Sequence, residues 1–262
     1  MCLLLLLLAP HSRANCASTS PLVWGELKYV VDGDTLHLKD GRKLRLIGVN
    51  TPELGHNGRP DQPLALEARR LVERFFAADK RVGLQVGAEP RDHYGRQLVH
   101  IYRSDGEALS AQLLEAGLAW RVAVPPNLAQ QDCLAEHERR ARASARGVWS
   151  EPVYQAKPSA DLTAADGGFG LVSGRVEHVT QTAKGWWIDL EGLSLRLPRD
   201  KLVYFGKNLP DSWLRRQVIV RGWIIDRSGT AAVKKRGYAP FLIQLQHPSM
   251  IEFATPAQHI SQ

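Results

Sequence analysis

Hydrophobic and polar positions alternate along several short stretches in the first part of the chain, and this period of two is typical of half-buried strands. Strands are predicted on this basis over residues 24–38, 43–49, 82–86 and 97–102, the first two stretches forming a hairpin. Other apolar residues recur at helical spacing, which predicts helices over residues 64–76, 109–118 and 128–145. This part of the chain is therefore predicted to combine strands with three helices.

Residues 151–168 lack such a period and are rich in Pro, Ala, Asp and Gly, which is typical of a linker. Beyond them five strands are predicted, over residues 171–179, 186–190, 193–197, 218–225 and 241–245. A short helical or turn segment is expected around residues 200–205. This pattern predicts a small Greek-key barrel of OB type, a fold that frequently binds single-stranded nucleic acid. No sequence repeat aligns the two parts of the chain.

Composition excludes several classes of protein. The chain has 262 residues, of which 44% are hydrophobic and 23% charged, so a disordered, collagen-like or coiled-coil protein is excluded. Lys and Arg number 34 against 27 Asp and Glu, which gives a net charge of +7 and favours a polyanionic partner. Most of the excess positive charge lies in the last third of the chain.

The N-terminus carries an apolar run of six leucines over residues 3–8, followed by Ala9 and Pro10. This run is too short to span a bilayer, but it is typical of the core of a secretory signal. No Lys or Arg precedes the leucines, so the signal is atypical or the true start lies upstream. We expect a secreted or periplasmic protein without membrane integration. The alternative is an apolar, disordered tail on a cytoplasmic protein.

The three cysteines are Cys2, Cys16 and Cys133. They are too few and too scattered to predict a disulfide framework or a zinc cluster, and Cys133 is interpreted as structurally ordinary. The histidines at positions 56, 93, 100 and 137 show no ligand spacing, so no metal is assigned to them.

Candidate chemistry concentrates near the turns of the first predicted sheet. Carboxylates, amides, hydroxyls and guanidinium groups occur close together in the sequence at Asp32, Asp34, Arg45, Asn50, Thr51 and Glu53, and later at Arg96 beside Tyr94. Phosphodiester hydrolysis needs a hard cation held by oxygen ligands, an acceptor that positions or deprotonates water, and guanidinium donors for the charge that grows on phosphorus. The alternative is a solvated network of surface ion pairs.

Four separated motifs favour the catalytic interpretation, because together they resemble the staphylococcal nuclease (thermonuclease) family. They read VDGDT at residues 31–35, RLIGVNTPE at 45–53, HYGR at 93–96 and GVW at 147–149. The resemblance spans about residues 25–151 and is specific, since the motifs occur in the family's order and at plausible spacing. It implies a five-stranded OB-type barrel with three helices. It also implies calcium-dependent cleavage of DNA and RNA that leaves a 5′-hydroxyl and a 3′-phosphate.

The resemblance also assigns roles to individual residues. Asp34 becomes a calcium-ligating carboxylate, and Thr51 becomes a ligand through its backbone carbonyl. Glu53 becomes the general base or water-orienting acceptor, and Arg45 and Arg96 grip the scissile phosphate.

Two further residues have supporting roles in this scheme. Asp32 is expected behind the calcium ligands, and Tyr94 is expected near a neighbouring phosphate of the substrate.

The sequence departs from the family pattern in two places. The family's second calcium carboxylate falls at Asn50, which keeps a carbonyl ligand but removes one negative charge. A different divalent ion is therefore an alternative to calcium. The segment at residues 118–127 lacks the tyrosines that stack on the nucleotide in the family, and Trp120 either substitutes for them or belongs to the core. These departures motivate a rival hypothesis, a catalytically weak nucleic-acid-binding or scaffold protein on the same barrel.

In the second part of the chain Trp186 and Trp187 are adjacent, so in a strand they face opposite sides, and the outward one can stack on a base. Nearby positive charge comes from Arg196, Arg199, Arg221, Lys234, Lys235 and Arg236. Both tryptophans are predicted to bind substrate, namely DNA or RNA that is single-stranded or flexible. The alternatives are a core indole and a solvated basic loop, and OB barrels also bind sugars and proteins.

The predicted fold class is α+β and mainly β, with two OB-type barrels. The predicted organisation is a signal or disordered stretch at residues 1–20, a nuclease-like domain at 22–151, a linker at 152–168 and an OB-like nucleic-acid-binding domain at 169–254.

Overall fold

The computed structural model of the protein describes residues 16–56, 58–231, 233 and 238–254. The core of the predicted signal, Cys2 and the basic run at residues 234–236 lie outside the described residues. The described residues form two compact units. Among the described residues, the first unit takes in residues 16–47, 51–119 and 130–144, and the second takes in residues 48–50, 120–129 and 145–254.

In chain order up to residue 143, the strands are β1 (Val23–Val30), β2 (Thr35–Leu38), β3 (Lys43–Leu46), β4 (Val49–Asn50), β5 (Arg81–Arg91), β6 (Gln97–Tyr102) and β7 (Trp120–Arg121). The helices are α1 (Ala65–Phe75), α2 (Leu109–Glu115) and α3 (Gln131–Ala143). The strands β8 to β15 are Lys157–Pro158, Gly168–Arg175, His178–Thr182, Gly185–Leu190, Leu193–Pro198, Gln217–Asp226, Phe241–Gln244 and Ile251–Phe253.

Five strands of the first unit close into a barrel in the order β1-β2-β3-β6-β5. Neighbouring strands are antiparallel except for β3 and β6, which are parallel. The alternating pattern explains the core, because the leucines at every second position of β2 and β3 are almost completely buried. The predicted OB-type barrel with three helices is confirmed.

The three predicted helices are present, with shorter ends than the sequence pattern indicated. α1 buries Ala65, Ala68, Val72 and Phe75, which recur at helical spacing on one face. α3 ends at Ala143 rather than near Gly147, which instead opens a short 3₁₀ turn over Gly147–Trp149. None of the described helices is long and apolar enough to span a membrane.

The sheet of the second unit follows the order β10-β11-β12-β14-β13-β9-β8, with β15 added beside β13. The predicted single strand over residues 171–179 is divided into β9 and β10 at Val176, whose amide donates to the carbonyl of Arg216 outside the ladder. If β9 and β10 are counted as one bent strand, the order is first, second, third, fifth, fourth and back to first. That is the order of the first barrel, and the third and fifth strands are again the parallel pair. The strand ladder itself is an eight-stranded sheet that returns to its first strand only through the bend between β9 and β10, and this sheet is called the second barrel below.

The structure corrects the predicted linker at residues 152–168. β8 pairs in parallel with β9, Leu162 belongs to the hydrophobic core of the second unit, and Ser159 is buried. A capping box between Thr163 and Asp166 fixes one of the 3₁₀ turns. The segment looked like a linker because 3₁₀ turns held by side-chain caps have neither the period of a strand nor that of an α-helix.

The structure also corrects the interpretation of the cysteines. Cys16 and Cys133 form a disulfide across a separation of 117 residues, which joins the start of the described chain to α3. A wide separation in sequence does not prevent pairing, since a disulfide requires only that the two Cα atoms lie within about 7 Å of each other in the fold. Cys133 is therefore part of a cross-link of the first unit.

Candidate active site

The turn between β1 and β2 places two carboxylates inside the first unit. Asp32 and Asp34 are 6% and 2% exposed, and the amide of Asp34 donates to Oδ1 of Asp32 over 3.0 Å. Gly33 separates them and packs tightly, because a Cβ atom there would lie within 3 Å of the side chains of Thr51 and Ala68. Only glycine allows this turn to approach α1 and Thr51 so closely.

The carboxylate of Asp34 is held by several donors. Its Oδ2 accepts from the Thr51 amide at 2.9 Å and from the Thr51 hydroxyl at 3.2 Å. The Thr35 hydroxyl donates to Oδ1 at 3.2 Å, and the Arg45 guanidinium forms an ion pair with Oδ2. Arg45 arrives beside Asp34 because it is the cross-strand partner of Thr35 in the β2–β3 ladder. The structure thus brings together three of the residues predicted for this site, namely Asp34, Arg45 and Thr51.

Asp32 is buried next to Asp34, in an environment that disfavours the charged form of its carboxyl group. Burial, followed by the neighbouring negative charge of Asp34, raises the pKa of Asp32 to about 7, and the Arg45 charge opposes this rise only weakly. Two carboxylates this close repel each other, and a divalent cation would relieve that repulsion. The oxygen-only donor set also fits a hard cation, which Asp34 and the Thr51 carbonyl would hold.

Glu53 follows Thr51 in the loop that leads to α1. Its amide donates to the Gln62 side-chain carbonyl at 2.8 Å, and the Gln62 amide donates back to the Glu53 carbonyl at 2.9 Å. The residue reaches solvent, yet partial burial of the carboxyl group raises its pKa, with a smaller contribution in the same direction from Asp34. A carboxylate with a raised pKa is a stronger base and is better suited to accept a proton from water.

Arg96 is fixed by the short hairpin between β5 and β6. Asp92 accepts hydrogen bonds from the Arg96 amide at 2.9 Å and from the Arg96 Nε at 2.7 Å. The Arg96 Nη1 donates to the Thr35 hydroxyl at 3.3 Å, and that hydroxyl donates to Asp34. Thr35 therefore connects the predicted phosphate-binding arginine to the predicted metal-binding carboxylate.

Sequence reasoning did not assign roles to Thr35 and Asp92. The sequence signal for Thr35 was its place as the last residue of the VDGDT motif, directly after Asp34. The signal for Asp92 was its place four residues before Arg96, at the start of a turn, where an aspartate commonly accepts hydrogen bonds.

Tyr94 projects from the same hairpin and is 72% exposed. Its ring lies 3.7 Å from that of His93, and the Arg96 guanidinium carbon lies 5.4 Å from the Tyr94 ring centroid. An exposed ring beside a guanidinium group is available for contact with a substrate, so the predicted place of Tyr94 near a neighbouring phosphate stays a prediction.

Asn50 belongs to the second unit by its contacts. It lies in β4, where it pairs with Trp120 of β7, and it is 4% exposed. Its role as an ion ligand stays a prediction. Trp120 is 3% exposed and packs against Tyr154 and Phe169 within the second unit, so it is a buried residue rather than an exposed stacking surface.

The two adjacent tryptophans of β11 lie on opposite faces of the strand, as the alternation of side chains in a strand requires. Trp186 is 6% exposed and belongs to the core of the second unit, so its predicted role in substrate binding is corrected. Trp187 is partly exposed on the opposite face, and its predicted role in substrate binding stays a prediction. The alternation of Trp186, Ile188 and Leu190 was a sequence signal for which indole lies inside.

Comparison with known proteins agrees with this fold. Residues 43–151 match the family model of staphylococcal nuclease homologues. The chain is 33% identical over 126 residues to the thermonuclease of Staphylococcus intermedius, covering 47% of this chain and 74% of that protein. It is 32% identical over 144 residues to the thermonuclease of Staphylococcus hyicus, covering 54% of this chain and 83% of that protein.

A third relative is the micrococcal nuclease of Shigella flexneri, 30% identical over 145 residues, which cover 50% of this chain and 76% of that protein. The family match and these relatives identify the protein as a nuclease. This chain belongs to the staphylococcal nuclease family. Its substrate is nucleic acid, and nucleases of this family generally depend on a divalent metal ion.

Proposed function

We propose that the protein is a calcium-dependent phosphodiesterase that hydrolyses DNA or RNA to products with a 3′-phosphate and a 5′-hydroxyl. The observation that carries the proposal is the connected set Arg45–Asp34–Thr35–Arg96, in which Arg45 pairs directly with the Asp34 carboxylate and Arg96 is linked to it through the Thr35 hydroxyl. Such a set offers a preorganised cluster of donors for a phosphate.

In the proposed reaction, Glu53 accepts a proton from a water molecule, and the water oxygen bonds to phosphorus. The bond from phosphorus to the 5′ oxygen breaks, and that oxygen takes up a proton to leave as a hydroxyl. A bound divalent ion would supply positive charge to a phosphate oxygen. Arg45 and Arg96 donate to the remaining phosphate oxygens as their charge grows, and each guanidinium has enough N–H groups to keep its present partner as well.

A matched set of assays tests the proposal. Purified protein is incubated with end-labelled single-stranded DNA and RNA in calcium, magnesium, manganese or a chelator. We expect cleavage with calcium and none with the chelator. Product ends are then identified by labelling with polynucleotide kinase, which phosphorylates 5′-hydroxyl ends directly. Products that accept label only after phosphatase treatment would contradict the proposed bond, and cleavage only with magnesium or manganese would contradict calcium.

The rival function, a weakly catalytic nucleic-acid binder, is favoured by the loss of a carboxylate at Asn50. The assay separates the two, because a binder retains labelled DNA on a filter in every ion without shortening it. The retained Glu53, Arg45 and Arg96 favour the hydrolase.

We also propose that the protein acts in a secreted or periplasmic location. The Cys16–Cys133 disulfide supports this location, since disulfides persist in oxidising compartments and are rare in the cytosol. Alkylation of cell fractions before and after reduction tests it. Recovery of the protein in the cytoplasmic fraction with free thiols at both positions would refute export.

A further inference from the structure

One indole on the outside of the second unit is flanked by two guanidinium groups. Trp187 lies on β11 between Trp186 and Ile188, which are both buried, so its side chain points to the opposite face. Its cross-strand partner on β12 is Arg196, whose guanidinium carbon lies 5.9 Å from the indole centroid. The guanidinium carbon of Arg227 lies 5.8 Å from the same indole. We call Trp187, Arg196 and Arg227 the indole–guanidinium surface.

This surface lies where OB-type barrels bind their ligands. Such barrels use the face of their second and third strands, together with the loops that follow the first and fourth strands. In the second unit the second and third strands are β11 and β12, which carry Trp187 and Arg196. Arg227 is the residue directly after β13, the fourth strand, so it begins the second of those loops.

The structure holds Arg227 in place at the base of its loop. Its amide donates to the carbonyl of Pro240 at 2.7 Å, and its Nη2 donates to the carbonyl of Ala239 at 2.8 Å. The side chain is thereby preorganised over Trp187, and little conformational entropy is lost when a ligand arrives.

Charge on this side of the barrel favours an anionic ligand. Lys184 is exposed in the turn between β10 and β11, the loop that follows the first strand. The described carboxylate on the same face of β11 is Asp189, which accepts a hydrogen bond from the Ser194 hydroxyl at 2.6 Å. The two guanidinium groups beside Trp187, with Lys184 in the adjoining turn, suit a phosphate chain better than a neutral sugar or a cationic peptide.

An aromatic face and flanking cations together are the chemistry of single-strand recognition. A base in a single strand exposes its face for stacking, whereas a duplex covers that face with the neighbouring base pairs. We propose that the indole–guanidinium surface binds single-stranded nucleic acid, with one base stacked on Trp187 and the adjacent phosphates paired with Arg196 and Arg227. The inference rests on the proposed function only in taking nucleic acid as the ligand.

Binding here involves no cleavage, because the equivalent loop of the second barrel contains no carboxylates. The turn between the first two strands carries Asp32 and Asp34 in the first barrel, but Ala183 and Lys184 in the second. The surface therefore holds a strand without a metal ion.

The test measures the affinity of the full-length protein for a fluorescent oligothymidylate of 20 nucleotides by anisotropy in a chelator. Trp187→Ala is expected to weaken binding about tenfold, since it removes the aromatic face on which a base stacks. The matched control is Trp24→Ala, which removes an exposed tryptophan of the first barrel that also contacts a guanidinium, that of Arg81 at 5.8 Å. The control is expected to change the affinity less than twofold.

Two further measurements keep the test decisive if Trp187→Ala unfolds the second unit. Trp187→Phe retains an aromatic face and is expected to bind within about threefold of the wild type. Arg196→Gln and Arg227→Gln are each expected to lower the slope of log affinity against log salt by about 0.7. Unchanged slopes in both arginine variants would overturn the proposal.

Other ligands and other surfaces give distinct outcomes. Heparin is a polyanion without bases, so equal sensitivity of heparin binding to Trp187→Ala would overturn base stacking. Trp223 is an exposed tryptophan of β13. A loss of affinity in Trp223→Ala, with none in Trp187→Ala, would place the strand against β13 and overturn the proposal. Because the chelator prevents hydrolysis, a failure of the hydrolase proposal leaves these affinities unaffected.

Discussion

The two barrels share a strand order but not a chemistry. In each, the third and fifth strands are the parallel pair, and an arginine on the third strand is the cross-strand partner of a residue on the second. In the first barrel that arginine is Arg45, which forms an ion pair with Asp34. In the second it is Arg196, which lies over the indole of Trp187. An arginine on the third strand therefore serves a carboxylate site in one barrel and an aromatic surface in the other.

The difference between the two barrels shows which parts of this fold determine its chemistry. Strand order and core packing supply the positions, and side chains on the strands and in the short loops together supply the reactive groups. In the first barrel, the loop after the first strand carries carboxylates. A tight turn from Asp92 to Arg96 connects its fourth and fifth strands. Substitutions that remove a loop group should therefore affect one barrel only, and the predictions below are designed to test that separation.

The largest effect is expected from Glu53→Gln. Removing a general base typically lowers kcat by two to four orders of magnitude, so we expect a loss of about a thousandfold in cleavage of single-stranded DNA. Oligonucleotide affinity in chelator should stay within twofold, since the second barrel is unchanged. Glu191→Gln, in the turn between β11 and β12, is the control and should retain full kcat. Wild-type turnover in Glu53→Gln would refute the assigned base.

The next largest effect is expected on the stability of the first unit when its disulfide is removed. The second unit contains no cysteine among its residues, whereas the first is cross-linked between Cys16 and Cys133. A disulfide that closes a loop of about 100 residues stabilises a fold by about 3–5 kcal/mol, mainly by restricting the unfolded chain. Cys133→Ser should lower the free energy of unfolding of the first unit by this amount and leave the free energy of unfolding of the second unit unchanged.

Denaturant unfolding followed by fluorescence measures both transitions. A reducing agent should reproduce the effect in the wild type and have no effect on Cys133→Ser. Equal destabilisation of both units by the substitution would contradict the separation of the two barrels.

Local patterns predicted much of this fold. The alternation in β2 and β3 and the helical spacing of Ala68, Val72 and Phe75 give strands and helices directly, because burial of one face imposes the period. The motif around Asp34 likewise indicated an oxygen-rich site before any geometry was known. These features depend on residues close together in the chain.

What the patterns missed depends on residues far apart. The Cys16–Cys133 pair and the packing of Leu162 into the core leave no local period, so they could not be read from the sequence. The guanidinium of Arg227 over Trp187 is also a contact between distant residues. The third member of the indole–guanidinium surface was therefore missed, while Arg196 was named as nearby positive charge.

A moderate effect is expected at the metal site. Asn50→Asp should tighten calcium binding about tenfold and lower the calcium concentration for half-maximal activity, because each added negative ligand attracts a hard dication. The Asn50 side chain is buried, so without metal the new carboxylate should destabilise the fold. Calorimetric titration of both proteins measures the affinity. Equal or weaker calcium binding in the variant would show that Asn50 is not a ligand, or that the site suits another ion.

The smallest effect is expected from Thr35→Val, which removes the hydroxyl between Arg96 and Asp34 and keeps the side-chain volume. A hydrogen bond of this kind contributes about 1 kcal/mol, so kcat should fall about fivefold through loss of positioning, with KM little changed. Thr35→Ser restores the hydroxyl and should restore kcat. The matched control is Ser194→Ala, which removes a hydroxyl bonded to a carboxylate in the second barrel and should leave kcat unchanged. If both substitutions lowered kcat equally, both barrels would contribute to catalysis. The assignment of catalysis to the first barrel and of binding alone to the second would then be wrong.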